Sequence, residues 1–231
     1  MDEQKRRILD SISIPLRFIL LIWAIHFFQI VSGMNFGKYG IFPRELFGLR
    51  GIVFSPLIHS DLHHLISNSA PIFFLSVMIV YFYPRIATRS MLMIYLLTGL
   101  AVWIFGRRVF HIGASGVVYG LVSFVFWMGL FRRSIKSIIL ALIVTVLYSG
   151  YFLGILPNQE GISWESHLLG GVVGIFVANW FKEQIELDEG DEKPSWENDS
   201  SDKQYFLKRD IFDKTKMERE REQEQDRESL W

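Results

Sequence analysis

Six stretches of this chain carry no Asp, Glu, Lys or Arg: residues 18–37, 65–84, 90–106, 109–131, 137–159 and 166–181. A helix needs about 20 apolar residues to cross a hydrocarbon layer roughly 30 Å thick, and these runs have that length and composition. An ordinary water-soluble domain is therefore excluded, and the fold expected is an all-α bundle of six transmembrane helices. The sequence contains 20 Phe and no Cys. The lack of Cys removes a disulfide framework, a thiolate metal site and a cysteine nucleophile together. Any chemistry must come from Ser, His, Asn or carboxylates.

Charge divides the chain. Residues 1–181 hold 14 Lys or Arg against 7 Asp or Glu, whereas residues 182–231 hold 10 against 17. We therefore read residues 1–13 as a short cytoplasmic segment, residues 14–181 as the membrane domain, and residues 182–231 as a charged cytoplasmic tail. The tail has too few branched apolar residues to bury a core, so disorder or a single helix is expected there. The first apolar run follows Lys5, Arg6 and Arg7 but ends at Ser32-Gly33-Met34-Asn35 without a small-x-small cleavage signature, so it is read as retained. Residues 38–63 are too polar and too interrupted by Gly and Pro to span, and they form a long, internally apolar loop.

The connections at 85–89, 107–108 and 132–136 are short, so consecutive helices should run antiparallel and both termini should lie on one side. Placing that side in the cytoplasm puts Lys5, Arg6, Arg7, Arg85, Arg89, Arg132, Arg133, Lys136 and Lys182 inside, against Lys38, Arg44, Arg50, Arg107 and Arg108 outside. Nine against five agrees with the positive-inside rule.

Polar and ionisable groups are costly at membrane depth, so those within the apolar runs are candidates for function. They fall into three clusters. In the first, His59-Ser60-Asp61-Leu62-His63-His64-Leu65-Ile66-Ser67-Asn68, helical spacing aligns His64 with Asn68 and His59 with His63. The second pair suggests a metal site, but a metalloprotease helix needs Glu after its first His, and Ser60 stands there. No metal is expected. The second cluster is Gly113-Ala114-Ser115-Gly116-Val117-Val118-Tyr119-Gly120. A serine at a helix start has unpaired N–H groups beside it that suit a developing oxyanion, although Gly-x-Ser-Gly also occurs as plain small-residue helix packing. The third is Ser166-His167-Leu168-Leu169-Gly170-Gly171-Val172-Val173-Gly174. Antiparallel topology brings one end of each cluster to the same outer side, so His64, Asn68, Ser115 and His167 can converge.

His59, His64 and Asn68 form His-x4-His-x3-Asn, residues 113–116 form Gly-x-Ser-Gly, and His167, Gly170 and Gly174 form His-x2-Gly-x3-Gly. In order and spacing the chain resembles the rhomboid family of intramembrane serine proteases, in its compact six-helix form, over residues 14–181. The long first loop has a counterpart too, with Leu49-Arg50 where the family often has Trp-Arg. The resemblance implies hydrolysis of peptide bonds in or next to the transmembrane helices of substrate proteins. Ser115 would be the nucleophile and His167 its base, a dyad with no obligatory acid and no cofactor. His64, Asn68 and the backbone N–H of Ser115 would stabilise the oxyanion. Tyr119 would stack on His167, although it reads equally well as a core aromatic. His63 and His111 have no role in the family pattern, and His59 reads as structural.

The other reading is a rhomboid-like protein that binds client transmembrane helices without cutting them, but such proteins lack the nucleophile or the base. A small transporter would show inverted repeats, and none is seen. The partners expected are membrane-protein substrates and the lipid bilayer, with no nucleic acid, and the location expected is a prokaryotic cell membrane. Gly116 and Gly120 lie below Ser115, and Gly170, Gly174 and Ala178 share a helix face with His167, so close packing of these two helices is expected to set the distance within the dyad.

Overall fold

The computed structural model describes residues 3–156, 163–184 and 215–228. It divides into two compact units, Met1–Glu186 and Leu187–Trp231. In the second, the described residues form one helix, Lys216–Glu228. Its N-terminus is closed by Thr215, whose N–H and hydroxyl both donate to Glu218 at 2.8 Å.

In the first unit each of the six apolar runs forms a helix: α1 Glu3–Ser32, α3 Leu62–Phe82, α4 Ala87–Phe105, α5 Ser115–Arg132, α6 Ile135–Tyr148 and α7 Trp164–Phe181, with a single-turn α2, Gly51–Phe54, in the first loop. Residues 7–32 of α1 together with α3, α4 and α5 are long and apolar enough to cross a membrane. Helix α6 has 14 residues and is continued by a 3-10 stretch, Ser149–Ile155, where Gly150 and Gly154 interrupt the run. Large apolar side chains cover the outside: Phe27, Ile30, Val31, Val146 and Trp180 are all well over half exposed. An apolar exterior of this kind belongs against lipid.

Helix α5 is the centre of the bundle. It packs on α3, α4, α6 and α7, and Val118, Leu121, Phe124, Val125 and Met128 are buried on it. Helix α7 packs on α5 and α4, and α1 packs on α3. The start of α1 is held by Arg7, which lies over the Tyr81 ring and donates two hydrogen bonds to the Tyr81 carbonyl at the far end of α3. The helix thus extends well before the uncharged run that begins at Phe18. A charge-free run measures hydrocarbon depth, whereas the backbone ladder continues into the interface as long as helix formers follow.

The first loop is ordered. Ile41 and His111 exchange both backbone hydrogen bonds at 2.9 Å, Arg44 N–H donates to the Trp103 carbonyl, and Trp103 Nε1 returns a bond to the Glu45 carbonyl. Arg108 pairs with Glu45. Arg50 donates to the Lys38 carbonyl and lies over the Tyr39 ring, closing the loop on itself. The loop is thereby fastened to the segment between α4 and α5, which leads directly into Ser115.

Candidate active site

Ser115 is the first residue of α5, and residues 109–114, apolar enough to have continued the run, form the turn that precedes it. At that turn Gly113 has φ +98°, a backbone conformation that side chains rarely adopt. A Cβ on Gly113 would also lie 2.6 Å from His64 Nε2. The glycine therefore lets the imidazole of His64 close against the backbone two residues before the serine.

The Nε2 atom of His167, in the first turn of α7, is 2.8 Å from Ser115 Oγ. Its Nδ1 is 2.8 Å from the Gly154 carbonyl oxygen. A carbonyl can only accept, so Nδ1 carries the proton and Nε2 presents its lone pair to the serine hydroxyl. This is the tautomer a general base requires. The ring of Tyr119, one turn along α5 from Ser115, stacks on His167 with centroids 4.1 Å apart and planes 10° from parallel. The Tyr119 hydroxyl donates to the Tyr151 carbonyl at 2.7 Å. His167 is thus held on one face by an aromatic ring and at Nδ1 by a carbonyl, with both carbonyls supplied by the 3-10 stretch after α6. Nothing in the motifs points to Gly154. The available signal is the glycine itself, since a Cβ there would run into the Tyr119 hydroxyl.

Beyond the Ser115–His167 pair, α5 and α7 stay in close contact. Gly170 faces the backbone of Gly116, and Gly174 faces Gly120 and the N–H of Phe124. At Gly170 the nearest atoms of α5 are all backbone, and at Gly174 the Ser123 Cβ joins them. Val172 is 53% exposed on the opposite side of α7.

On α3 the Asp61 carboxylate caps the helix by accepting the His64 N–H at 2.9 Å. Its carboxyl is held below the usual range by hydrogen bonds from Ser60 and from the His64 N–H. His64 Nδ1 is 3.1 Å from Ser60 Oγ, and Asn68, buried one turn on, donates from Nδ2 to the His64 carbonyl at 2.8 Å. The structure does not bring His59 and His63 together. Helix α3 begins at Leu62, so helical spacing does not extend back to His59, which is buried while His63 is exposed. His59 instead packs edge-on against His64, with ring centroids 5.1 Å apart. Burial, aided by the neighbouring His64, pushes its pKa down to about 3, so it packs as a neutral ring. Among the described residues no three His, Asp or Glu side chains are grouped as metal ligands.

A family model, the rhomboid domain, matches residues 47–183. The chain is also 33% identical over 172 residues to uncharacterized proteins of Mycobacterium tuberculosis and Mycobacterium bovis, covering 71% of this chain and 72% of each relative. An uncharacterized protein of Mycobacterium leprae is 28% identical over the same length, covering 71% of this chain and 68% of its own. The chain belongs to the rhomboid family. It is an integral membrane protein, an all-α bundle as its apolar runs require, and these relatives are bacterial.

Proposed function

We propose that this protein is an intramembrane serine endopeptidase that cleaves peptide bonds in or next to transmembrane segments of other membrane proteins. The observation that carries this reading is the pair of contacts at His167: Nδ1–H on the Gly154 carbonyl and a bare Nε2 on the Ser115 hydroxyl. A serine hydroxyl is a weak nucleophile until a base accepts its proton, and here the base is oriented at Nδ1 by a backbone carbonyl. As Ser115 Oγ attacks the scissile carbonyl carbon, its proton passes to His167 Nε2. The same proton then goes to the leaving amine, and a water molecule hydrolyses the acyl-enzyme by the reverse route. The developing oxyanion takes hydrogen bonds from the Ser115 N–H, from Asn68, and from His64 across Gly113 once that ring carries a proton on Nε2, because in the resting arrangement Ser60 donates to Asp61 and the His64 proton sits on Nδ1. The reaction needs no cofactor.

The test is a fluorophosphonate probe on the full-length protein in detergent. Wild type should be labelled and Ser115→Ala should not. An unlabelled wild type with intact fold would favour a family member that binds client helices without cutting them.

The oxyanion assignment makes a second prediction. Loss of one donor usually lowers the rate by about 10² to 10³, so His64→Ala and Asn68→Ala should each slow cleavage of a model transmembrane substrate by that order without abolishing it. Unchanged rates in both would remove these residues from the mechanism.

For orientation, the Lys and Arg bias puts both termini in the cytoplasm and the loop that contains Lys38 and Arg44 outside. A protease-accessible tag in that loop and a cytoplasmic reporter after Trp231 are the expected results in intact cells. A protected loop tag would invert the topology.

A further inference from the structure

Ser163 occupies the N-cap position of α7, where a serine hydroxyl ordinarily accepts a hydrogen bond from an N–H of the first turn. Here it makes no such bond. It lies instead 2.5 Å from Nδ1 of His111, in the segment between α4 and α5. His111 Nε2 is 2.9 Å from the Arg107 carbonyl oxygen. That carbonyl can only accept, so Nε2 carries the proton, Nδ1 is bare, and the Ser163 hydroxyl must be the donor. The Ser163 oxygen is then free to accept, and Ser166 Oγ is 2.7 Å away. The hydrogen bonds therefore run in one direction, from Ser166 to Ser163 to His111 to the Arg107 carbonyl. Ser166 immediately precedes His167 in the chain.

The anchor of this series is rigid. His111 is buried, and its backbone is paired on both sides with Ile41 of the first loop. Burial lowers its pKa from the ordinary histidine value, which keeps the ring neutral and able to accept. Beside it, Glu165 in the first turn of α7 is paired with Arg107, so two residues at the head of α7 hold the same loop. The Ser163 carbonyl meanwhile accepts the N–H groups of Ser166 and His167.

We propose that His111, acting through Ser163 and Ser166, is a positioning residue for the base: it fixes the rotation and depth of the first turn of α7 and so the approach of His167 Nε2 to Ser115. This rests on the serine protease reading above. It assigns work to a histidine and an N-cap serine that lie outside the family motifs. Its chemical content is specific, because it requires an acceptor at the Nδ1 position and a hydroxyl at 163.

The experiment compares wild type with His111→Leu, His111→Asn and Ser163→Ala, all full length and in detergent. It reads the rate of Ser115 labelling by a fluorophosphonate, kcat and KM on a model transmembrane substrate, and amide exchange of residues 163–168. A misplacement of about 1 Å can lower a rate on the order of 10²-fold, so His111→Leu and Ser163→Ala should lower kcat and labelling by about 10- to 100-fold with KM nearly unchanged, and the first turn of α7 should exchange faster. His111→Asn, whose side-chain oxygen can accept from Ser163, should recover most of the loss. If the series served only to hold the fold, melting temperature would fall while kcat in the folded fraction stayed at the wild-type value. That result, or His111→Asn no better than His111→Leu, would overturn the proposal. Ser163→Ala removes a single oxygen and guards against failure of the leucine variant to fold. Should wild type show no Ser115-dependent labelling, the protease reading fails, and exchange decides the brace by itself: equal exchange at 163–168 in wild type and Ser163→Ala would dismiss it.

Discussion

Replacing Ser115 or His167 by Ala is expected to lower cleavage of a transmembrane substrate on the order of 10⁴- to 10⁶-fold, and replacing both should cost no more than replacing one. The reason lies in the 2.8 Å contact between His167 Nε2 and Ser115 Oγ. Without the base the hydroxyl keeps its proton, and without the hydroxyl the base has nothing to activate. Each single variant therefore removes the whole unit. Neither substitution should unfold the bundle, because Ser115 and His167 sit at helix starts and the Gly116–Gly170 and Gly120–Gly174 contacts are left intact. Rates measured on folded protein in detergent, with the double variant alongside, check this. A double variant much slower than either single one would mean that serine and histidine act separately.

The second large effect is expected at the contact between α5 and α7. A Cβ at Gly170 would lie against the carbonyl of Gly116, with Gly116 Cα 3.3 Å away, and one at Gly174 would lie 2.7 Å from Ser123 Cβ and 2.9 Å from the Phe124 nitrogen. These obstacles are mostly backbone, which cannot rotate aside as a side chain can, so the helices must separate. Gly170→Leu and Gly174→Leu should therefore lose about 10²-fold or more in rate, since separation moves the base from the nucleophile. Overpacking of this kind also destabilises by about 1–3 kcal/mol. Val172→Leu adds one methylene on the exposed side of α7 and should behave like wild type. Gly170→Ala should fall between. Equal activity across Gly170→Leu, Gly174→Leu and Val172→Leu, all folded, would show that this contact does not set the distance within the dyad.

The hydrocarbon requirement made the six helices legible in the sequence, and the spacing of Gly113, Ser115, His167, Gly170 and Gly174 singled out the residues that the fold brings together. Helix ends were less legible. Lack of charge marked residues 109–131 as one run, yet the helix starts only at Ser115, because Gly113 takes a backbone conformation that a helix cannot contain. Charge likewise placed the first run at Phe18, although the helical ladder begins at Glu3. The pairing of His59 with His63 assumed a helix that starts three residues later than the first of them.

By itself the sequence determined that this chain lives in a membrane, that it has no thiol, and which serine and histidine, on small-residue helix faces, are its candidates for chemistry. The first two follow from local composition, and the third from the spacing of three motifs and the family resemblance they carry. Only the tertiary structure decided what orients that pair. The carbonyls of Tyr151 and Gly154 act through the backbone, and every residue has a carbonyl, so no motif marks these two as the acceptors. His111 and Ser163 stand 52 positions apart, and each looks ordinary in its own segment. Their pairing exists because the loop before α5 and the head of α7 are packed side by side, a fact of three dimensions that neither segment encodes alone.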